Sequence, residues 1–136
     1  MIKAKRAIII AANILWLGIT FYLLVKPDDG QPKRFDFPGS DKVAHVIIFA
    51  IMSSLINILI KHFSQLNLKV IYTISILAVT AFGAVMEIVQ LQFFTRGCEF
   101  YDVVADFGGA ALGCMLFPIT YHTLRKLNSN FDNRGK

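Results

Sequence analysis

Charge is scarce in this chain. Only 17% of its 136 residues are Asp, Glu, Lys or Arg, and nine of those are acidic. So thin a polar complement cannot clothe a soluble domain whose composition is 55% hydrophobic, with twelve phenylalanines, because a folded domain in water keeps its charged residues outside and its apolar ones in. Cysteine is equally sparse. Cys98 and Cys114 stand sixteen positions apart, which is neither a zinc-site spacing nor a disulfide framework. No internal repeat is present, and no basic stripe interleaves with aromatics, so the net charge of +5 does not indicate a nucleic-acid partner. At this length the chain is one domain, since smaller pieces would have no core of their own.

What is present is a set of apolar runs long enough to cross about 30 Å of hydrocarbon. The first covers residues 7–25 behind Lys3, Lys5 and Arg6. It resembles a signal peptide in its basic start, but it exceeds the 7–15 residues of a signal core and no small-residue cleavage site follows. It reads as a retained helix ended by Pro27. Residues 26–42 hold Pro27, Gly30, Pro32, Pro38 and Gly39, a density of turn formers that makes a connection. Ser40 or Asp41 then offers a side-chain oxygen to cap a second helix, expected over 43–60. A turn at 64–67 leads to a third helix over 70–93, and a loop at 94–101 leads to a fourth over 102–121, with Pro118 kinking its last turn. Residues 125–136 form a polar tail, expected to be mobile. The predicted fold is an all-α, polytopic membrane domain of four transmembrane helices in a bundle.

Orientation follows from the bias of Lys and Arg toward the cytoplasmic side. The N-terminus, the 61–69 turn and the tail carry nine cations (Lys3, Lys5, Arg6, Lys61, Lys69, Arg125, Lys126, Arg134, Lys136) against Asp132. The opposite side carries five (Lys26, Lys33, Arg34, Lys42, Arg96) among six acids. Both termini are therefore expected in the cytoplasm, with the loops at 26–42 and 94–101 outside.

Placed on these helices, the polar groups converge. His45 lies just inside the second helix, Glu87 and Gln90 near the end of the third, and Asp102 and Asp106 at the start of the fourth. At ~1.5 Å per residue His45, Glu87, Gln90 and Asp106 fall within about 10 Å of one membrane boundary. An ionisable group inside a spanning helix costs ~2.5–3.5 kcal/mol on the insertion scale, so Glu87 and Asp106 must face the bundle interior and find partners. His45, Lys42 and Arg96 are the candidates. General acid–base chemistry, a metal site or a polar binding pocket would each use such a set. A His45–Glu87–Asp106 trio has donors suited to zinc or manganese, but its ligands come from three helices without a diagnostic spacing, and no metal or other cofactor is assigned. His45, Glu87 and Asp106 are the candidates for catalysis; Asp41, Lys42, Gln90, Arg96 and Asp102 are the candidates for binding. Helices 2 and 4 also point their N-termini, with unpaired amides, toward this corner, which suits an anionic headgroup.

The bland readings are specific. Gln90, Ser53 and Asn57 serve as interhelical hydrogen-bond glue, and Gly109-x-x-x-Gly113 is a packing motif that lets helix 4 approach a neighbour closely. The same glycine face can also serve a homo-oligomer. Phe49, Phe82, Phe93 and Phe94 are core or lipid-facing bulk, and Trp16 falls mid-helix rather than at an interface.

Three stretches carry a family resemblance. They are Asp41-Lys42-x-x-His45 at a helix start, Glu87-x-x-Gln90 after a long apolar run, and Arg96-x-x-Glu99-x-x-Asp102-Val103-x-x-Asp106-x-x-Gly109-x-x-x-Gly113. In order and spacing, over residues 40–114, these resemble the VanZ-like membrane proteins. Where many members have Pro-Gly before the arginine this chain has Phe94-Thr95, and where many have asparagine it has Asp106. The resemblance implies a bacterial cytoplasmic-membrane protein in which His45, Glu87, Gln90, Arg96, Asp102 and Asp106 form a shared site. The naming member of that family is associated with low-level resistance to the glycopeptide teicoplanin. The partners to expect are the lipid bilayer and a lipid-linked envelope precursor or lipophilic antibiotic. The competing functions are a non-catalytic subunit of a membrane complex and a small proton-coupled transporter.

The orientation is directly testable through Cys98 in the 94–101 loop. A membrane-impermeant maleimide applied to intact cells is expected to label the wild type and not Cys98→Ser. Labelling that appears only after lysis would place this loop, and the polar cluster with it, in the cytoplasm.

Overall fold

The computed structural model describes residues 2–25, 37–93 and 100–134, with side chains described for 4–25, 37–93, 100–123 and 126. The segments 26–36 and 94–99, which include Arg96, Cys98 and Glu99, lie outside the described residues. Four helices follow one another: α1 (Ile2–Val25), α2 (Ser40–Phe63), α3 (Leu68–Phe93) and α4 (Phe100–Arg134). Each contains a stretch long and apolar enough to cross a membrane: Ala4–Val25, Ser40–Phe63, Leu68–Phe93 and Phe100–Thr123. The chain is a multi-pass membrane protein by helix length and hydropathy. Its outward face agrees, with a belt of large apolar side chains (Ile14, Leu77, Met115 and Ile119 among them) left exposed, a surface that lipid accepts and water does not.

The helices reach past the apolar runs because backbone hydrogen bonding, unlike hydropathy, continues into polar flanks. Lys5 and Arg6 ride on the first turns of α1, where long basic side chains carry their charge to the interface, and Arg6 stacks over the Phe63 ring at 5.5 Å. The start of α2 differs from the expected side-chain cap. Its N-cap is Gly39, at φ 86° and ψ 5°, with no side-chain capping bond. Phe37-Pro38-Gly39-Ser40 form a type II turn closed by Ser40 N–H donating to the Phe37 carbonyl at 2.9 Å; such a turn takes proline second and needs a positive φ, hence glycine, third. α3 does use a side-chain cap, with Val70 N–H donating to Asn67 Oδ1 at 3.0 Å, the usual Asn geometry. The largest difference is in α4, which runs to Arg134 rather than ending near Tyr121. Pro118 therefore sits in mid-helix. No glycine or proline stands between Pro118 and Gly135, so nothing in that stretch stops the helix.

The bundle runs up, down, up, down. α2 is its centre: it packs against all three other helices, most extensively against α4. The reason lies in α4. Added Cβ atoms would meet the Val46 carbonyl oxygen and Cα at Gly109, and the Ala50 carbonyl and Ser53 Cβ at Gly113. The glycine pair is thus used inside the chain, against α2, and is not a free face for a second copy. Ser53 Oγ donates to the Ala110 carbonyl at 2.9 Å and Ser54 Oγ to the Gly113 carbonyl at 3.2 Å, so the same seam is sewn by hydroxyls. One layer in from the middle, Ser75 Oγ donates to Asn57 Oδ1 at 2.6 Å, and Asn57 Nδ2 donates to Cys114 Sγ at 3.4 Å. This ties α2, α3 and α4 through fully or almost fully buried side chains.

α1 is the peripheral member. It is held by Asn13 Nδ2 donating to the Leu55 carbonyl at 3.3 Å, Trp16 Nε1 donating to the Ile48 carbonyl at 3.2 Å, and Gln90 Nε2 donating to the Leu24 carbonyl at 2.6 Å. The last of these satisfies a carbonyl that the end of α1 would otherwise leave without a helical partner. Among the described residues of α1, the buried ones are Thr20 and Leu24, both in its second half.

The glycine seam sets a stability contrast. Gly109→Val and Gly113→Val are expected to cost about 1–3 kcal/mol or more as overpacking and to lower the melting temperature in detergent. Gly108→Val, where an added Cβ meets nothing within 4 Å, is expected to change it little. Equal effects at Gly108 and Gly109 would show that the seam is not the constraint.

Candidate functional site

The close α2–α4 seam continues into the end of the bundle where α2 and α4 begin and α3 ends. Asp102 and Asp106 are one helical turn apart, and with Gly109 and Gly113 they make one stripe facing α2. On α2, Lys42 and His45 are likewise a turn apart. Since α2 and α4 run in the same direction, these four residues form two rungs. Lys42 Nζ lies 3.4 Å from Asp102 Oδ1, and His45 Nδ1 lies 2.8 Å from Asp106 Oδ1. The outer rung is half open, with the Lys42 side chain 37% exposed and that of Asp102 6%. The inner rung is closed, with the His45 side chain 6% exposed and that of Asp106 0%.

Three neighbours fix the inner rung. Phe49, one turn below His45 and fully buried, stacks on the imidazole with ring centroids 5.9 Å apart and planes 5° from parallel. Gly109 brings the two backbones together at Val46, which sets how far Asp106 stands from His45. Gly83 of α3 completes the pocket, because a Cβ there would meet Asp106 Cγ at 2.8 Å and Oδ2 closer still. Asp106 Oδ2 accepts no hydrogen bond among the described residues. A carboxylate on Nδ1 fixes the imidazole's tautomer and orientation, leaving Nε2 as the nitrogen that could meet a substrate or an ion.

The other expected residues fall at the same end. Glu87 is 2% exposed and stands one turn beyond Gly83, engaged by a neighbour. Gln90 is buried and spends its amide on the α1 carbonyl described above. Asp41 is exposed at the head of α2, and one ligand atom from each of Asp41, His45 and Asp102 lies within 4.8 Å of the other two. Arg96 lies outside the described residues. The structure thus joins Asp41, Lys42, His45, Asp102 and Asp106 directly, with Glu87 and Gln90 on the adjoining turns of α3. Among the described residues, the trio whose donor atoms come together is Asp41, His45 and Asp102, rather than His45, Glu87 and Asp106.

Sequence reasoning missed Gly83, Asn13, Ser75 and the role of Cys114. Gly83 carried a usable signal, since a glycine inside a helix costs about 1 kcal/mol against alanine and asks for a packing reason. Compared with protein-family models, with curated proteins and with solved structures, the chain matches none.

The inner rung is a coupled pair. His45→Ala and Asp106→Ala are each expected to destabilise by about 3–5 kcal/mol, because each strands a buried polar partner. The double variant is expected to lose clearly less than the sum, as residues in contact are not additive. Melting curves in one detergent decide it; additive losses would mean that the two residues act separately.

Proposed function

We propose that the chain is a VanZ-like protein of the bacterial cell envelope, in the cytoplasmic membrane with both termini inside. In this reading its polar site faces outward and binds the head of an anionic amphiphile, such as a lipid-linked envelope precursor. One observation carries the reading: a histidine and an aspartate, both buried among spanning helices, hold one another at 2.8 Å directly beneath an accessible lysine–aspartate rung. Interhelical adhesion alone does not need groups this costly to bury. Lys42 supplies the charge for a phosphate-bearing head, and the N-termini of α2 and α4 add their dipoles. Below the site, an apolar groove of about 490 Å³ lies between α2 and α4, lined by Ala50, Ile51, Leu55, Leu116 and Ile119 among others. It begins on α2 five residues beyond His45 and has the character an acyl chain needs. His45, oriented by Asp106, is the group that would exchange a proton if the bound head reacts. A lipophilic antibiotic shares the chemistry of such a ligand, which is how the site would bear on glycopeptide susceptibility.

A second reading, a non-catalytic partner subunit, draws on the layer of Ser53, Asn57, Ser75 and Cys114, where polar groups do serve only to join helices. The two readings separate on lipid retention. Wild-type protein extracted in mild detergent is expected to carry an anionic amphiphile visible by mass spectrometry. Lys42→Ala and His45→Ala are expected to retain at least about tenfold less, the loss of one charge-assisted contact of ~1.5–3 kcal/mol, while still reaching the membrane. An unchanged lipid profile in both variants would leave the partner-subunit reading standing.

A further inference from the structure

We propose that Asp41, His45 and Asp102 form a binding site for a divalent metal ion of the zinc or manganese class. This goes beyond the amphiphile reading and does not depend on it. The three residues come from the first two turns of α2 and the first turn of α4, and one donor atom of each lies within 4.8 Å of the other two. Atoms so placed have a common point no more than about 2.8 Å from each, against the ~2.0–2.2 Å of zinc–nitrogen and zinc–oxygen bonds. The closure still needed is less than an ångström per ligand. Asp41 is exposed, so its carboxylate can rotate inward without disturbing the core.

Two independent features point to an ion rather than to a chance meeting of side chains. The first is the state of Asp102. It is 4% exposed, and its Oδ1 accepts no hydrogen bond among the described residues. Its one contact to a cation there is Lys42 Nζ at 3.4 Å, longer than a charge-assisted hydrogen bond of about 2.7–2.9 Å. A buried carboxylate oxygen without a hydrogen bond is costly, and coordination would satisfy it. The second is the second shell already in place. His45 Nδ1 is held by Asp106 Oδ1 at 2.8 Å, which leaves Nε2 to coordinate. A metal-bound histidine almost always donates its other N–H to a carboxylate or carbonyl in this way. Phe49 stacked on the ring fixes its plane.

One nitrogen and two carboxylates suit zinc or manganese better than a soft ion such as Cu(I). Three protein ligands leave a fourth position open, on the side where Asp41 meets solvent or headgroup. Lys42 is the competitor. Its ammonium occupies the charge partner's place beside Asp102, and its side chain is 37% exposed.

Purified full-length protein in detergent, dialysed separately against Zn²⁺ and Mn²⁺ and then assayed for bound metal, tests this. One ion per chain is expected. Asp41→Asn and Asp102→Asn are expected to weaken binding at least about tenfold, as loss of a ligand should cost no less than loss of a second-shell partner. Lys42→Met, which removes the competing ammonium, is expected to tighten it. Asp41 is exposed, so Asp41→Asn reports on ligation even if Asp102→Asn fails to fold. The absence of stoichiometric metal, or wild-type affinity in Asp41→Asn, overturns the site. The lysine variant also keeps the two proposals apart: Lys42→Met should lose the amphiphile and gain metal.

Discussion

Much of this molecule follows from how near α4 lies to α2. Two glycines four residues apart remove the side chains that would hold the helices at an ordinary separation, and backbone then meets backbone at Val46 and Ala50. In lipid such closeness replaces the hydrophobic drive that packs helices in water. The approach also sets the spacing one turn further along, where Asp106 can reach His45 only because Gly109 has already brought the helices together. Gly83 contributes from the third side by leaving space for the carboxylate. The polar site is thus a consequence of packing, with small residues deciding where ionised or polar ones can meet.

A membrane interior offers no water to satisfy a stray donor or acceptor, so each polar group must find its partner within the protein. Most of the buried polar side chains gather in two separate layers. The layer that joins Ser53, Asn57, Ser75 and Cys114 is made of hydroxyl, amide and thiol groups, and their contacts run helix to helix. The layer of Asp41, Lys42, His45, Asp102 and Asp106 is made of ionisable groups and lies at one end of the bundle, with Asp41 exposed and Lys42 half so. Neutral helix-joining groups and ionisable groups therefore occupy different depths of the bundle.

The four helices were legible in the sequence because a spanning helix announces itself by an uninterrupted apolar run, and the stripe of Asp102, Asp106, Gly109 and Gly113 was legible because spacings of three and four are periodic in a helix. What was hidden depends on quantities that no single helix encodes. Lys42, His45 and Arg96 were equal candidates to partner Asp106; the choice of His45 depends on the relative rotation and depth of α2 and α4. Helix ends were misplaced where hydrogen bonding outruns hydropathy, most of all beyond Pro118, and where Gly39 replaced the expected side-chain cap. The partner of Asn13, the Leu55 carbonyl, likewise depends on how α1 lies against α2.

α1 stands apart from this scheme. Its outer side is apolar and lipid-facing, and Asn13, Trp16 and Gln90 supply its hydrogen bonds to the rest of the bundle. In water, detaching a helix exposes apolar surface at great cost; in a bilayer the lipid takes that surface at almost none. The grip on α1 is therefore packing around Trp16, Thr20, Leu24 and Val25, the Arg6–Phe63 contact, and interhelical hydrogen bonds of roughly 0.6 kcal/mol each. Thermodynamically α1 is held much as a bound subunit is held, through contacts along one side and without the exclusion of water to drive them, while the α2–α4 seam is built without it.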